Sequence, residues 1–129
     1  MATRIERVGH VVLKVRDLER SARFYRDVLG LREVARLRDR MAFFSAGENH
    51  HDIAVLEVGP GAPRPARNGV GLYHVAFRIG TRLEELKAAK AQLEAHGVAR
   101  PQAFPSFSIS FFDSVWQRDR MPFTFRSEA

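Results

Sequence analysis

The sequence predicts an α+β protein with an internal duplication, and three observations lead to this prediction. A valine-rich strand containing a histidine occurs twice, around His10 and around His74. Each strand precedes a helical segment that ends at a glycine, Gly30 in the first half and Gly97 in the second. A segment rich in proline and glycine separates the two halves. The expected parts of a single domain of 129 residues are module one at 5–58, a linker at 59–69 and module two at 70–125.

The elements of the first half follow in a clear order. The segment RVGHVVLKV predicts a strand, and Asp17 is a suitable N-cap for the helix after it. One apolar face of that helix is predicted to contain Leu18, Ala22, Tyr25 and Leu29. Three strand-like segments, REVARL, MAFFSAG and HHDIAVLEV, come next and are separated by turn-forming residues. The first half therefore reads β-α-β-β-β.

The second half restarts the same pattern. The segment GLYHVAFRI predicts a strand, and Thr81 with Glu84 predicts a capping box at the start of a helix that runs to about His96. The residues expected to face inward are Leu83, Leu86, Ala89 and Leu93. SFSISFFDSVW is suited to strands, whereas the stretch from Gln117 onward has no clean periodicity.

Composition excludes several classes of protein. There is no apolar run of about 18 residues, so no membrane span is expected. The N-terminal segment MATRIERVGH has charges where a signal peptide needs an apolar stretch, which predicts a cytoplasmic protein. The sequence contains no cysteine, which excludes disulfides, thiolate metal sites and a cysteine nucleophile. Any metal must be held by His, Asp, Glu or water.

The net charge of +6 raises the question of a nucleic-acid partner. The basic residues are mostly arginines spread along the whole chain, and no helix-turn-helix, RNA-binding or zinc-finger pattern accompanies them. We therefore predict a solvated basic surface, with neither nucleic acid nor membrane as a partner.

Alternation along the strands groups the candidate site residues, because every second residue of a strand faces the same side. The three sets are His10, Val12 and Lys14; His51, Ile53, Val55 and Glu57; and His74, Ala76 and Arg78. Phe43 and Phe44 are adjacent, so one is expected in the core and the other, assigned as Phe43, in the wall of a pocket.

The segment VGHVVLKVRDLERSARFYRDVLGLREV resembles the opening of a vicinal oxygen chelate domain, the superfamily of glyoxalase I, extradiol dioxygenases and bleomycin-resistance proteins. The matching features are the first-strand His10, Asp17-Leu18, Phe24-Tyr25 and Leu29-Gly30. LYHVAF and LEAHGV extend the resemblance to about residue 98. It implies two βαβββ modules that pair into a cupped sheet, often across a homodimer, with a metal in the cup.

The resemblance also implies site residues, although it points to two branches of the superfamily. His10 and His74 fall on the two histidine ligand positions, and Glu57 falls where glyoxalase I has a glutamate ligand. The run HHDIA instead resembles small catechol-dioxygenase-like members, and it favours that branch because it is longer. His51 is either an acid/base that moves a substrate proton or a turn residue.

Three functions follow from these assignments. The first is an extradiol dioxygenase that uses Fe(II) or Mn(II) to chelate two neighbouring oxygens of a catechol-type substrate. The second is a glyoxalase I-like lyase or isomerase that uses Ni(II) or Zn(II) and involves Glu57. The third is a metal-free protein that binds a drug or another small molecule, like the bleomycin-resistance members.

The C-terminal segment departs from the superfamily pattern, which has Asp-Pro-x-Gly-Asn and then Ile-Glu, the last metal ligand. Here the sequence reads FFDSVWQRDRMPF, and Glu128 is the only glutamate downstream. Codons for Trp116 to Met121, read one base later, permit Gly-Asn-Glu-Ile-Glu. We therefore hypothesise that this segment is a frameshifted form of the superfamily ending, which the nucleotide sequence tests directly.

Overall fold

The computed structural model describes residues 1–66, 68–72 and 75–98, together with the backbone of three strands at 101–103, 106–111 and 123–127. The chain divides into two compact units, Met1–Ala62 and Pro63–Ala129, and each has the element order β-α-β-β-β. The elements are β1 Val11–Val15, α1 Leu18–Arg23, β2 Arg32–Leu37, β3 Met41–Ser45, β4 Ile53–Glu57, β5 Val75–Arg78, α2 Leu83–Ala95, β6 Pro101–Ala103, β7 Ser106–Phe111 and β8 Phe123–Ser127.

Helix α1 begins where the sequence predicts. The side chain of Asp17 accepts a hydrogen bond from the backbone N–H of Arg20 at 2.9 Å, which satisfies one of the free donors of the first turn. The helix continues from Phe24 to Val28 as a π-helical turn. Gly30 then ends it with a φ of 75°, a conformation that glycine adopts without a steric penalty.

The sheet of the first unit has the strand order β1-β4-β3-β2. Strand β1 pairs in parallel with β4, from Val11 opposite Ile53 to Val15 opposite Glu57. One face of this sheet packs against α1, where Tyr25 contacts Phe44 with their ring centroids 5.6 Å apart. The core residues on this side are Leu13, Val15, Leu18, Ala22, Tyr25, Phe44, Ile53 and Val55, all buried.

The opposite face of the same sheet is not covered by α1, and we call it the face away from α1. Val12, Ala54 and Phe43 lie side by side across it, since both Val12 and Phe43 pair with Ala54. Val12 is exposed and Phe43 is half-buried. Lys14 lies beside Leu56 in the next row of this face and is also exposed.

The second unit corrects two predictions for helix α2. The N-cap is Arg82 and not Thr81, because the carboxylate of Glu85 accepts the backbone N–H groups of both residues, at 3.0 Å and 2.9 Å respectively. The predicted Thr81–Glu84 capping box is therefore wrong by one residue. Leu83, predicted to face inward, is exposed because it starts the first turn, whereas Leu93 is buried as expected.

The sheet of the second unit has the strand order β5-β7-β8-β6, which differs from that of the first. Strand β5 pairs antiparallel with β7, and β6 pairs in parallel with β8. The strand at Phe123–Ser127 was not predicted, since that stretch lacks a clean periodicity. Glu128 and the Trp116 to Met121 segment lie outside the described residues. Within the described part of the chain, no helix has the length and apolar character to cross a membrane.

Candidate functional site

Two histidines meet at the point where β1 and β4 begin. His10 immediately precedes β1, and His51 lies two residues before β4. Because the strands are parallel and the backbone N–H of Val11 donates to the carbonyl of Asp52 at 3.1 Å, both strands begin at the same edge of the sheet. The two imidazole rings are 4.4 Å apart between centroids, with an angle of 43° between their planes.

The position of His51 departs from the predicted alternation. Ile53 and Val55 are buried beneath α1, so regular alternation would place His51 there too. Instead its ring contacts His10 and Phe43. The ring centroids of His51 and Phe43 are 5.2 Å apart, and the two ring planes are nearly perpendicular, at 78°. The prediction that His51 shares a face with Ile53 is wrong, because the regular strand begins only at Ile53.

A third imidazole belongs to this group, and we call His10, His50 and His51 together the histidine cluster. The Nδ1 atoms of His50 and His51 lie 2.9 Å apart, a hydrogen-bond distance at which one nitrogen donates and the other accepts. The side chain of His50 is exposed. Its bond to His51 had no signal in the sequence, because neighbouring residues of a regular strand face opposite sides.

Electrostatics favour the neutral form of His51. Its pKa is lowered from the ordinary histidine value, first by loss of solvation and then by the nearby His10 and His50, while Asp52 opposes the change. At neutral pH the ring is therefore uncharged, and the lone pair is on Nε2 when Nδ1 donates to His50. A neutral imidazole is suited to accept a proton or to bind a divalent metal ion.

A network of hydrogen bonds made by Ser45, Asn49 and Asp52 holds the loop between β3 and β4. The carboxylate of Asp52 accepts the backbone N–H of Ala46 at 2.8 Å and the side-chain amide of Asn49 at 2.6 Å. The hydroxyl of Ser45 donates to the carbonyl of Asn49 at 2.6 Å. The Ala46 N–H, and then Asn49, hold the pKa of Asp52 below its usual value, so the carboxylate stays ionised. Sequence analysis did not identify this network.

Glu57 lies at the other end of β4 from the histidine cluster. It pairs with Val15, five residues along the strand from Asp52, which corresponds to roughly 16 Å at about 3.3 Å per residue. Its Oε2 atom accepts the backbone N–H of Leu18 at 2.7 Å, at the start of α1. The structure therefore brings His10, His51 and Phe43 together but does not bring Glu57 to them.

The donor atoms present fit one side of a metal site. His10 is exposed at the edge of the sheet, and the imidazole of His51 lies beside it. Imidazole nitrogens suit divalent ions such as Fe(II), Mn(II), Ni(II) and Zn(II). In the parts of the chain that are described, no three His, Asp or Glu side chains converge to hold a metal. His74 lies outside those parts, so its pairing with His10 stays a prediction.

Comparison with known proteins decides the family. The family model described as the Glyoxalase/Bleomycin resistance protein/Dioxygenase superfamily matches residues 7–106. The chain belongs to this superfamily. The match confirms the resemblance drawn from the two histidine-containing strands and the helix ends.

Several relatives of this superfamily member are named as dioxygenases. The catechol-2,3-dioxygenase of Bacillus subtilis (strain 168) is 33% identical over 130 residues, covering 88% of this chain and 45% of the relative. The manganese-dependent 2,3-dihydroxybiphenyl 1,2-dioxygenase of Geobacillus genomosp. 3 is 33% identical over 98 residues, covering 75% and 28%. The iron-dependent extradiol dioxygenase of Rhodococcus jostii (strain RHA1) is 38% identical over 77 residues, covering 49% and 24%. The chain spans less than half the length of these relatives.

A solved structure confirms the fold class of this superfamily member. The lactoylglutathione lyase from Agrobacterium tumefaciens aligns with a TM-score of 0.57 over 95% of this chain and 92% of that one. The sequence identity is 18%, so the likeness shows the fold alone. The predicted α+β class of the glyoxalase fold is thus confirmed.

Proposed function

We propose that this chain is a metal-dependent dioxygenase domain of the extradiol type that acts on a catechol-type small molecule. The observation that carries the proposal is the contact between His10, the expected metal ligand, and His51, the expected acid/base, 4.4 Å apart at one edge of the sheet. The names of the three relatives support the reaction type. Two of those names also favour Fe(II) or Mn(II) as the cofactor.

The proposed roles follow from the chemistry of each side chain. His10 and His74 would hold the divalent ion, which when bound would orient two neighbouring oxygens of the substrate and lower their pKa. His51, neutral because its pKa is lowered, would accept a proton from a substrate hydroxyl. The ring of Phe43 is nearly perpendicular to that of His51, and it would exclude water from one side of the aromatic ring of a bound substrate.

The hydrogen bond between Glu57 and Leu18 supports this proposal over the glyoxalase I-like alternative. That alternative needs the Glu57 carboxylate as a metal ligand beside His10. The carboxylate would have to leave the start of α1, where it satisfies a free backbone donor. It would also have to act from the far end of β4.

The decisive experiment compares metal content and turnover in four proteins: wild type, His10→Ala, His51→Ala and His96→Ala. His96 ends α2 and bonds to the carbonyl of Gln92 in the same helix, so its variant is the matched control. We expect His10→Ala to lose both metal and oxygen uptake with catechols. We expect His51→Ala to keep the metal and lose about 10²- to 10⁴-fold in rate, the usual contribution of a general acid/base.

Two outcomes would overturn the proposal. Wild type that stays empty after incubation with Fe(II), Mn(II), Ni(II) and Zn(II) would leave the metal-free binding protein as the better explanation. A His51→Ala variant with full turnover would remove the acid/base role. Assembly as a homodimer stays a prediction of the resemblance, and light scattering on the same samples measures it.

A further inference from the structure

The ring of His51 lies against His10 and Phe43, although regular alternation along β4 would direct it toward α1. His51 lies between Asn49 and Asp52, two residues that are both held in place. The backbone of Asp52 is fixed on both sides, since its N–H donates to Phe44 at 2.8 Å and its carbonyl accepts from Val11 at 3.1 Å. The peptide before β4 is thus tied to both neighbouring strands.

The side chain of Asp52 turns back into the loop that precedes it. One carboxylate oxygen accepts the N–H of Ala46, and the other accepts the side-chain amide of Asn49 at 2.6 Å. Asn49 is held a second time, because its carbonyl accepts the hydroxyl of Ser45. Only His50 and His51 separate the two anchored residues, so the backbone between them has little freedom to rotate.

We propose that the hydrogen bond between Asn49 and Asp52 makes these two residues positioning residues for His51, turning its ring against His10 and Phe43. This inference rests on the proposed function, in which His51 must lie within reach of a substrate bound near His10. The bond between the Nδ1 atoms of His50 and His51 then limits rotation of the ring itself. Displacement of a reacting group by about 1 Å can cost on the order of 100-fold in rate.

A swap of the two polar groups tests the pair directly. Asn49→Asp places two carboxylates against each other and breaks the bond, whereas Asp52→Asn can keep both bonds because the Asn49 amide can turn its oxygen toward the new NH₂. The double variant restores both bonds with one polarity reversed, because the new amide oxygen at position 52 accepts from Ala46 while its NH₂ donates to the new carboxylate at 49. Glu48→Gln, at an exposed residue of the same loop, is the control for loss of one charge.

The first readout is the cross-peak between the ring protons of His10 and His51 in nuclear Overhauser spectra of the metal-free protein. The second is kcat and KM for oxygen uptake with catechols. We expect Asn49→Asp to lose the cross-peak and about tenfold or more in kcat, with KM changed less than about threefold. The double variant and Glu48→Gln should match wild type in both readouts.

An Asn49→Asp variant that keeps the cross-peak and the wild-type kcat while its melting temperature falls would overturn the inference, since the bond would then be only structural. A folded double variant without the cross-peak would also overturn it. If wild type is inactive on every catechol but the cross-peak follows the expected pattern, the positioning inference holds and the proposed function fails.

Discussion

The carboxylate of Glu57 accepts the backbone N–H of Leu18, which joins the end of β4 to the start of α1. Glu57→Ala leaves this donor without its partner, so we expect a loss of about 1 kcal/mol in the free energy of unfolding. Glu57→Gln keeps an acceptor oxygen, so its free energy of unfolding should fall by less than that of Glu57→Ala. Metal content should stay at the wild-type level in both, as measured by mass spectrometry beside urea unfolding. A Glu57→Ala protein that folds but contains no metal would contradict this prediction and show that Glu57 is a metal ligand.

Glu33 joins two arginines and makes the stability of the first unit depend on pH. Its carboxylate pairs with Arg36, which also binds Glu19 of α1, and with Arg26 at 2.9 Å. The hydrogen bond from Arg36 is the main cause that lowers the pKa of Glu33 in the folded state. A lowered pKa stabilises the fold above the unfolded pKa of about 4.3, and this contribution is lost as the pH falls through the folded value.

Glu33→Gln should therefore be less stable than wild type at pH 7, by about 1 kcal/mol, because exposed and half-buried ion pairs contribute little. The difference between the two proteins should shrink as the pH falls below about 4. Urea midpoints at several pH values measure it, with Glu48→Gln as the charge-matched control. A difference that is equal at pH 7 and at low pH would show that ionisation of Glu33 is not its cause.

The adjacent residues Phe43 and Phe44 should respond differently to the same substitution. Phe44 is fully buried against Tyr25, so Phe44→Ala should cost about 3–5 kcal/mol of stability. Phe43 lies half-buried on the face away from α1, beside His51. Phe43→Ala should lose much less stability and raise KM about two- to tenfold, the equivalent of one aromatic contact. Equal stability losses in the two variants would place Phe43 in the core instead.

Substitution by alanine should cost more stability at Gly30 than at Gly61, although both glycines have open space where a side chain would be added. An added Cβ would meet no atom within 4 Å at either Gly30 or Gly61. Gly30 has a φ of 75°, whereas Gly61 lies outside the left-handed region. Gly30→Ala should therefore lower the free energy of unfolding by about 1 kcal/mol and Gly61→Ala should not. Thermal unfolding of the pair measures this, and equal midpoints would contradict the backbone explanation.

Short-range signals predicted much of the first unit. The Asp17 cap, the stop at Gly30 and strand β2 at Arg32–Leu37 match the structure, because a cap, a left-handed turn and a short strand each depend on a few neighbouring residues. The start of α2 was missed by one residue. Both Glu84 and Glu85 have the right chemistry there, and only the folded backbone selects Glu85.

The orientation of the His51 side chain could not be predicted from the sequence, for a different reason. Alternation assigns a face only within a regular strand, and β4 becomes regular at Ile53. The direction of His51 depends on hydrogen bonds made by Asn49 and Asp52, which link loop residues to each other and to the sheet. Residue type alone does not specify such bonds.

The parallel pairing of β1 with β4 sets an order for folding. Strands β2, β3 and β4 are joined in sequence by antiparallel contacts, whereas Val11 must find Ile53 across the whole helix and two intervening strands. Loop closure makes such a distant contact slower than the local ones. During synthesis β1 therefore emerges from the ribosome well before its partner and remains unpaired until β4 has followed it. A ribosome stalled ahead of Ile53 would leave this valine-rich strand exposed, a substrate for chaperones or a nucleus for aggregation.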